Sequence, residues 1–499
     1  MKVDTDVAVV GGGPVGMLLA GELALHGVRT TVLEALPAPT GESKAGTLHA
    51  RTAQTLRRRG LLDAVQPYPE RTPPNARRSV PFHFGGLFSL DLGPVVAEGP
   101  AMIGSPQAYA ETVFTRRALK FGARIRRDSE VTSVEDVGPH AVVRFRNEAG
   151  EESQLTAGWV VGCDGPRSVV RKQAGIEFTG TLPTMSCLMG EALLEDPYGV
   201  PAGWNRTPNG WTIFWVNPRG HSRIGTYDFR GPAADRKAPV TLTELRQEAE
   251  RITGRSVPMR SPRWLTRFSD AALQAQQYQV GRILLAGDAA HVHFPAGGQG
   301  LNTGLQDAVN LGWKLAAQVQ GWAPEGLLES YHSERHPVGA DVLQNVRAQV
   351  ALMNPDPAAD ALRELFSTLM QMDEVNDYLA GMITGTDIRY NCGLPRDPIA
   401  GTFVDDAVLK TEEGQVTVAD LLQAGRGVLL VLGDLPDVEA AALGWASRVD
   451  TVRAVSDRNL GFGSVLLRPD GYAAWSAQEG SGDLGSLNTA LTRWFGAPS

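Results

Sequence analysis

Residues 281–302 read GRILLAGDAAHVHFPAGGQGLN, and this stretch contains the order of elements that decides the fold. The apolar run Ile283–Ala286 has the length and side chains expected of a buried strand. The run ends close to Asp288, which places a carboxylate where a parallel strand delivers its side chains to a ligand crevice. From Leu301 onward the apolar positions share one face of a helix. The stretch therefore predicts a strand–loop–helix unit with a ligand at its junction.

The loop within this stretch has the composition of a nucleotide site. Gly297, Gly298 and Gly300 precede the helix, where backbone N–H groups can approach a ligand and the helix dipole favours negative charge. A carboxylate can accept hydrogen bonds from sugar hydroxyls, and backbone amides can bind an anion. A flavin nucleotide has both features, because it carries a ribityl chain and its N1–C2=O edge becomes anionic on reduction. An ordinary strand–loop–helix unit with solvent-exposed polar residues is the alternative, and the stretch alone leaves it open.

The start of the chain carries a second signal of the same kind. A predicted strand over residues 3–10 leads into GGGPVG at 11–16, then a helix over 17–25 and a strand over 30–33 that ends at Glu34. In this G-x-G-x-x-G pattern Gly11 permits the tight turn, Gly13 lets the backbone approach a pyrophosphate, and Gly16 lets helix pack on strand. Glu34 would accept hydrogen bonds from ribose hydroxyls. This context predicts a dinucleotide-binding fold.

Composition limits the classes of function. The 499 residues predict two or three domains, and 47 basic against 55 acidic side chains give a net charge of −8. Nucleic acid and anionic membranes are therefore not expected as partners. The sequence contains no apolar run of the ~18 residues that a membrane span needs, and no secretion signal is evident, so a cytoplasmic location is expected. Cys163, Cys187 and Cys392 form no C-x-x-C pair, which argues against thiol redox chemistry.

Several polar residues are candidates with an alternative role. Asp164 ends another predicted strand, where it could contact a ligand or cap the next helix. Gln107 lies near a helix start and has the same two possibilities. Lys44 and Arg51 could face a phosphate or the mouth of an active site. His332 and His336 are spaced i and i+4, but without a third ligand they indicate packing and no metal site.

The region from residue 181 to about 273 alternates in polarity and is dense in aromatic side chains. These strands could form a sheet that lines a pocket for a flat apolar molecule. They could equally form a plain sheet core. Trp211, Phe214, Trp215 and Phe294 are the candidate substrate contacts.

The elements together predict an α/β protein with a Rossmann-like FAD-binding domain, an inserted β-sheet substrate domain and a small C-terminal α/β domain. The predicted boundaries are 1–75, 101–180 and 275–390 for the first domain, 76–100 and 181–274 for the second, 391–405 for a linker, and 406–499 for the third. The last of these lacks cysteine, so we expect a structural role for it.

With its three motifs in order, the chain resembles the flavin-dependent aromatic hydroxylases of the p-hydroxybenzoate hydroxylase type. Within this class it is most similar to actinobacterial enzymes that hydroxylate aromatic polyketides and to rifampicin monooxygenases. The segments HARTAQTLRRRG, SPRWLTRF and SYHSERHPVG and the ending RWFGAP carry this closer resemblance. It covers essentially the whole chain and implies that the C-terminal α/β domain is thioredoxin-like.

The resemblance implies a set of cofactor-binding residues. The ADP half of FAD would lie near the glycine turn and Glu34, Asp288 near the ribityl or pyrophosphate region, and Pro295 beside the isoalloxazine ring. Many relatives carry arginine where this chain has Lys44, which leaves the choice between NADPH and NADH open. The implied residues are Gly11, Gly13, Pro14, Gly16, Glu34, Ala35, Lys44, Arg51, Gln107, Val131, Asp164, Asp288, Pro295, Gly298, Gly300, Leu301 and Asn302.

The resemblance also implies a reaction. NADPH or NADH would reduce bound FAD, and O₂ would give a C4a-hydroperoxyflavin that transfers oxygen to a small polycyclic aromatic substrate. No side chain is required as a nucleophile, so Arg51 is only a candidate catalytic residue. Baeyer–Villiger insertion, rifamycin-type antibiotic inactivation, a flavin dehydrogenase and a drug-sequestering flavoprotein are the alternatives, and a homodimer is possible.

Overall fold

The computed structural model describes residues 3–67, 79–235, 238–394, 396–478 and 483–499. The predicted boundary between residues 75 and 76 lies outside them. Of the helices in these ranges, none is both long and apolar enough to cross a membrane. The α-helices are α1 (Pro14–Leu25), α2 (Ala50–Arg57), α3 (Gln107–Lys120), α4 (Val169–Gln173), α5 (Leu242–Thr253), α6 (Gln299–Gln320), α7 (Ser330–Leu352), α8 (Asp360–Leu369), α9 (Asp373–Thr384), α10 (Val418–Leu421), α11 (Pro436–Ala441) and α12 (Leu484–Phe495).

The strands fall into three main sheets and three small ones in the described part of the chain. They are β1 (Thr5–Val10), β2 (Thr30–Leu33), β3 (Thr47–His49), β4 (Pro81–Phe84), β5 (Leu87–Asp91), β6 (Met102–Gly104), β7 (Arg124–Arg126), β8 (Glu130–Asp136), β9 (Ala141–Arg146), β10 (Glu152–Gly162), β11 (Phe178–Thr181), β12 (Ser186–Leu194), β13 (Gly203–Thr207), β14 (Gly210–Trp215), β15 (Ser222–Asp228), β16 (Met259–Ser269), β17 (Ala272–Ala275), β18 (Gln279–Val280), β19 (Ile283–Leu285), β20 (His291–Val292), β21 (Val408–Thr411), β22 (Gly414–Thr417), β23 (Gly427–Leu432), β24 (Val449–Ser456), β25 (Ser464–Leu467) and β26 (Ala473–Ala477).

The first main sheet holds both ligand motifs. Five parallel strands run in the order β19-β10-β1-β2-β7, with Val9 of β1 paired to Val161 on one side and Val32 on the other. The central strands β1, β2 and β19 are buried along almost their whole length, since helices such as α1 pack against the sheet. Since parallel strands end at one edge, this topology brings Glu34, Asp164 and Asp288 to the same side.

The second main sheet comes from one continuous segment. Its order is β13-β14-β15-β12-β16, all antiparallel, and every strand lies between Ser186 and Ser269. One face packs on α5 around Phe214. The other face carries Trp211 and Tyr227 and turns toward α7 and the loop before α6. The sheet is therefore an insertion that presents one aromatic face to the rest of the molecule.

The C-terminal domain is a six-stranded mixed sheet. Its centre is a parallel pair, β23 and β24, extended on the β23 side by antiparallel β25 and β26 and packed on α12. The predicted α/β fold of this domain is thus confirmed, and its likeness to thioredoxin stays a prediction. Trp313 of α6 enters the core of this sheet beside Trp494, so the two domains share apolar packing.

A buried charge network also joins the domains. Arg468 donates from Nη1 to Glu334 Oε1 at 2.5 Å and from Nη2 to Asp470 Oδ2 at 2.5 Å. Lys314 donates to the other oxygen of Glu334 at 2.7 Å. Burial alone would raise the pKa of Glu334, but Arg468 and Lys314 hold it at about 2. The four side chains are almost inaccessible to solvent, so each depends on the others for compensation.

One sequence expectation about the helices is wrong. The sequence predicts separate helices over 326–335 and 338–352, whereas α7 continues through Pro337. A proline inside a helix costs about 3 kcal/mol. Buried residues on both sides of it, such as Tyr331 and Val346, pack into the core and outweigh that cost.

A cavity between the flavin motifs and the aromatic sheet

A cavity of about 800 Å³ lies between the parallel sheet and the aromatic face of the second sheet. Its wall comes from the glycine turn before α1, the loop before α6, the segment after residue 43 and several aromatic side chains. Eleven of the residues expected from the sequence line it: Gly13, Pro14, Lys44, Gln107, Trp215, Asp288, Phe294, Pro295, Gly298, Gly300 and Leu301.

The glycine turn is shaped for close approach of a ligand. Gly11 has a φ of +103°, and a Cβ there would collide with the carbonyl of Cys163. A Cβ on Gly16 would collide with the carbonyl of Gly11, so the first turn of α1 packs directly against the strand end. A Cβ on Gly13 would meet nothing within 4 Å, which leaves the backbone open to a ligand.

Glu34 lies beside this turn. Its Oε2 accepts from the backbone N–H of Gly12 at 2.5 Å and its Oε1 from that of Leu36 at 2.9 Å. These bonds fix the carboxylate at the end of β2 and leave lone pairs for ribose hydroxyls. Ala35 is exposed next to it, outside the cavity wall.

The start of α6 offers free amides to the cavity. Gly298 is the N-cap with a φ of +66°, and no side chain of the described residues caps the helix. The uncapped first turn and the helix dipole favour an anionic or carbonyl group at Gly300 and Leu301. Asn302 does not line the cavity; its side chain accepts from His49 N at 2.8 Å and donates to Gly298 O at 2.8 Å. It therefore fixes the loop from behind.

Asp288 is the acid of the cavity. It is exposed toward the cavity, and desolvation by the surrounding protein raises the pKa of its carboxyl group, against opposing effects of His291 and Lys44. Across the cavity Gln107, the first residue of α3, accepts from Ala45 N at 3.3 Å and so ties the Lys44 segment to that helix. A carboxylate, a cation and an amide thus surround the same space.

The far wall is aromatic. Tyr227 stacks on Trp204 with ring centroids 5.5 Å apart, and its edge meets Phe294 at 5.6 Å. Trp215 is 48% exposed and lies at the rim beside Arg223, whose guanidinium is 5.7 Å from its ring. These rings suit a flat apolar molecule.

Two predicted substrate contacts, Trp211 and Phe214, do not line the cavity. Phe214 points to the opposite face of β14, where it is buried against α5, because alternate residues of a strand face opposite sides. Trp211 is on the aromatic face, but it lies behind the cavity wall, donates to the carbonyl of Met353 at 2.6 Å and packs on Gly86.

Three predicted polar or cofactor contacts also lie elsewhere. Arg51 is buried at 5% exposure, donates to the carbonyl of Thr386 at 3.0 Å and stacks on Phe403 at 3.9 Å, so it is not at the cavity mouth. Asp164 caps α4 by accepting from Val169 N at 2.6 Å. The side chain of Val131 is buried in the core of the first sheet.

Arg223 and His293 are among the lining residues that the sequence interpretation missed. Arg223 lines the cavity and donates to Ser43 O at 2.6 Å and to Glu191 Oε1 at 2.9 Å. His293, which the sequence suggested to be structural, also lines it. Because side chains alternate between the two faces of β15, Arg223 could have been predicted to lie on the same face as Tyr227. Nothing in the sequence distinguishes the cavity residue His293 from the core residue His291. Among the described residues no group of three or more His, Cys, Asp or Glu side chains could hold a metal.

The parallel sheet, the glycine turn and the amide-rich start of α6 define a flavin-nucleotide enzyme with an aromatic-lined cavity. Residues 4–346 match the family described as FAD binding domain, and residues 397–498 match the aromatic-ring hydroxylase C-terminal family. The chain therefore belongs to the family of FAD-dependent aromatic-ring monooxygenases.

Individual relatives extend over the full length. The chain is 41% identical to a 12-dehydrotetracycline 5-monooxygenase/anhydrotetracycline 6-monooxygenase of Streptomyces rimosus, covering 99% of both chains. It is 41% identical to a rifampicin monooxygenase of Streptomyces venezuelae, again over 99% of both. An anhydrotetracycline hydroxylase structure from Streptomyces rimosus superposes with a TM-score of 0.90 at 39% identity, covering 99% of this chain and 100% of that one.

Proposed function

We propose that the protein hydroxylates a small polycyclic aromatic molecule in the cytoplasm, consuming NAD(P)H and O₂ with FAD as its bound cofactor. This proposal rests on one continuous cavity. One end is lined by the glycine turn, Asp288 and the start of α6, and the other end is lined by aromatic side chains. A cofactor ring between the two would face a flat substrate directly.

The residues at the nucleotide end fit FAD. The tight turn at Gly11, the open backbone at Gly13 and the ribose-side acid Glu34 would hold the ADP half. Asp288 would accept from ribityl hydroxyls or face the pyrophosphate side with Lys44 nearby. The uncapped amides of α6 would meet the pyrimidine edge of the flavin. When bound, FAD supplies hydride acceptance from NAD(P)H and activation of O₂ for transfer of one oxygen atom.

The protein's own contribution is placement, charge stabilisation and exclusion of water. The N–H groups at Gly300 and Leu301 are preorganised for negative charge on the reduced cofactor. Tyr227, Trp204 and Phe294 form a dry wall that would stack the substrate and keep water from the reacting atoms. No side chain acts as a nucleophile in this proposal.

Relatives support a polycyclic substrate, since their names specify anhydrotetracycline and rifampicin. The aromatic wall formed by Tyr227, Trp204 and Phe294 is consistent with a molecule of several fused rings. Biosynthetic hydroxylation and antibiotic inactivation both act on such a substrate. Identification of the product distinguishes the two reactions.

The test begins with the purified protein and its flavin spectrum. NADPH and NADH oxidation is then measured with a panel of polyketide phenols and rifamycins, and products are identified by mass. We expect bound FAD, oxidation stimulated by an aromatic compound, and a product heavier by one oxygen; its fragmentation separates ring hydroxylation from Baeyer–Villiger insertion.

Other outcomes argue against the proposal. Failure to bind FAD after reconstitution would refute it. Tight binding of an aromatic compound without any NAD(P)H consumption would favour a sequestering protein. Oxidation of the compound without oxygen insertion would indicate a dehydrogenase.

A further inference from the structure

His293 lies on the loop between Asp288 and α6, and its ring forms part of the cavity wall. Its Nδ1 is 2.8 Å from the carbonyl oxygen of Phe294. A carbonyl oxygen can only accept, so Nδ1 carries the proton of the neutral ring and Nε2 is left as an acceptor. Burial lowers the pKa of His293 to about 4, which keeps the ring neutral at neutral pH.

The Nε2 atom of His293 is buried, and within the described part of the chain no group donates to it. Its neighbour in the HVH motif behaves differently, since His291 bonds to Asp307 through Nε2 at 2.7 Å. A buried acceptor without a donor is costly, so a cavity occupant that supplies an O–H or N–H would be favoured. His291 thus bonds within the protein core, whereas His293 lines the cavity and its Nε2 has no donor among the described residues.

The position of the ring narrows the choice of donor. A Cβ on Gly300 would lie 3.5 Å from Nε2, which places the ring against the first turn of α6. The next residue, Phe294, belongs to the aromatic wall. Nε2 therefore lies where the flavin end of the cavity meets the substrate end.

We propose that Nε2 of His293 accepts a hydrogen bond from a hydroxyl group on the aromatic substrate and holds that ring in place beside the flavin. The inference rests on the proposed function and makes it more specific. It predicts a preference for phenols or enols over their ethers, because an ether oxygen has no proton to donate.

The experiment compares two ligands that differ in this one proton. Dissociation constants of 2-naphthol and 2-methoxynaphthalene are measured on the FAD-loaded protein from the change in flavin absorbance. We expect the wild type to favour 2-naphthol by about 5- to 150-fold, the range for an acceptor left unsatisfied. His293→Leu and His293→Ala should bind both ligands equally, and either variant suffices if the other fails to fold. Met189→Leu, at a cavity residue whose side chain has no nitrogen or oxygen, should keep the preference.

Three results would overturn the inference. In the first, the wild type binds both ligands equally or binds neither detectably. The histidine variants could retain the preference. They could instead lose affinity for FAD while the ligand ratio stays unchanged, which would assign Nε2 to a hydroxyl of the ribityl chain. Because binding is measured without turnover, a protein that selects phenols through His293 but forms no oxygenated product would refute the proposed function alone.

Discussion

Asp288 and Asp164 are both acids at carboxyl ends of parallel strands, but their surroundings differ. Asp288 opens onto the cavity, whereas both oxygens of Asp164 are occupied, one by Ser168 Oγ at 2.6 Å and the other by α4 amides. The same sequence pattern therefore supports a ligand contact in one case and a helix cap in the other.

Asp288→Ala should weaken FAD binding by about 10- to 100-fold, the range for losing hydrogen bonds to a charged group. The measurement is the ratio of flavin to protein absorbance after purification, followed by titration of the apoprotein with FAD. A variant that purifies fully loaded would contradict the assignment.

Asp164→Ala is the matched control. Loss of its hydrogen bonds to the first two amides of α4 should lower the free energy of unfolding by about 0.5–2 kcal/mol, with FAD affinity retained. A loss of FAD as large as that in Asp288→Ala would show that the cap is not its main role.

At the scale of elements, the sequence correctly predicted the strand and the helix on either side of each glycine motif. Local signals sufficed there: an apolar run, glycines and a helical pattern in fixed order, as at residues 11–16. Arg51, Trp211 and Phe214 could not be placed, because strand register and the packing of distant segments decide which side of a wall a side chain occupies. Continuity of α7 through Pro337 depends on tertiary packing in the same way.

The start of α6 gives a prediction about backbone conformation. Gly298→Ala places a side chain in the left-handed region and should cost about 1–2 kcal/mol of stability. It should also weaken FAD binding, because the amides of the first turn would shift. FAD affinity by fluorescence quenching and stability by urea unfolding are the two measurements.

Gly321→Ala is the control for this backbone cost. Gly321 is the C-cap of the same helix, with a φ of +78°, and a Cβ at this position would meet nothing within 4 Å. The variant should lose similar stability and keep FAD affinity. Equal effects of the two variants on FAD would mean that the position of the amides is unimportant.

At the scale of the whole molecule, buried charges join the domains. Arg468→Leu leaves Glu334 and Asp470 without their common partner and should destabilise the protein by about 3–5 kcal/mol. Arg426→Leu removes a half-exposed pair with Asp450 and should cost below about 1 kcal/mol. Urea unfolding of both variants tests this; similar losses would show that the buried network contributes nothing special.

Buried histidines predict how stability depends on pH. Burial lowers the pKa values of His26, His49, His83 and His293 to about 4 in the folded protein, against about 6.5 when exposed. Between pH 6.5 and 4 the unfolded chain therefore binds protons that the folded chain does not. Stability should be full above pH 6.5 and fall on acidification by up to about 1.4 kcal/mol per pH unit for each histidine.

The measurement is the urea midpoint from pH 7 to 5, and His26→Gln should flatten the profile. An unchanged midpoint across this range would contradict the prediction. This behaviour could not be foreseen from the sequence, because burial of a histidine is a property of the folded chain.

The five-stranded aromatic sheet lies entirely between Ser186 and Ser269, whereas the cofactor motifs lie before and after it. A recombination event with two crossovers could therefore exchange the whole sheet between relatives without touching a glycine turn. The same two junctions are the natural sites for building chimeric enzymes. Such an arrangement lets descendants of one ancestor diversify in what they accept while inheriting the same redox chemistry.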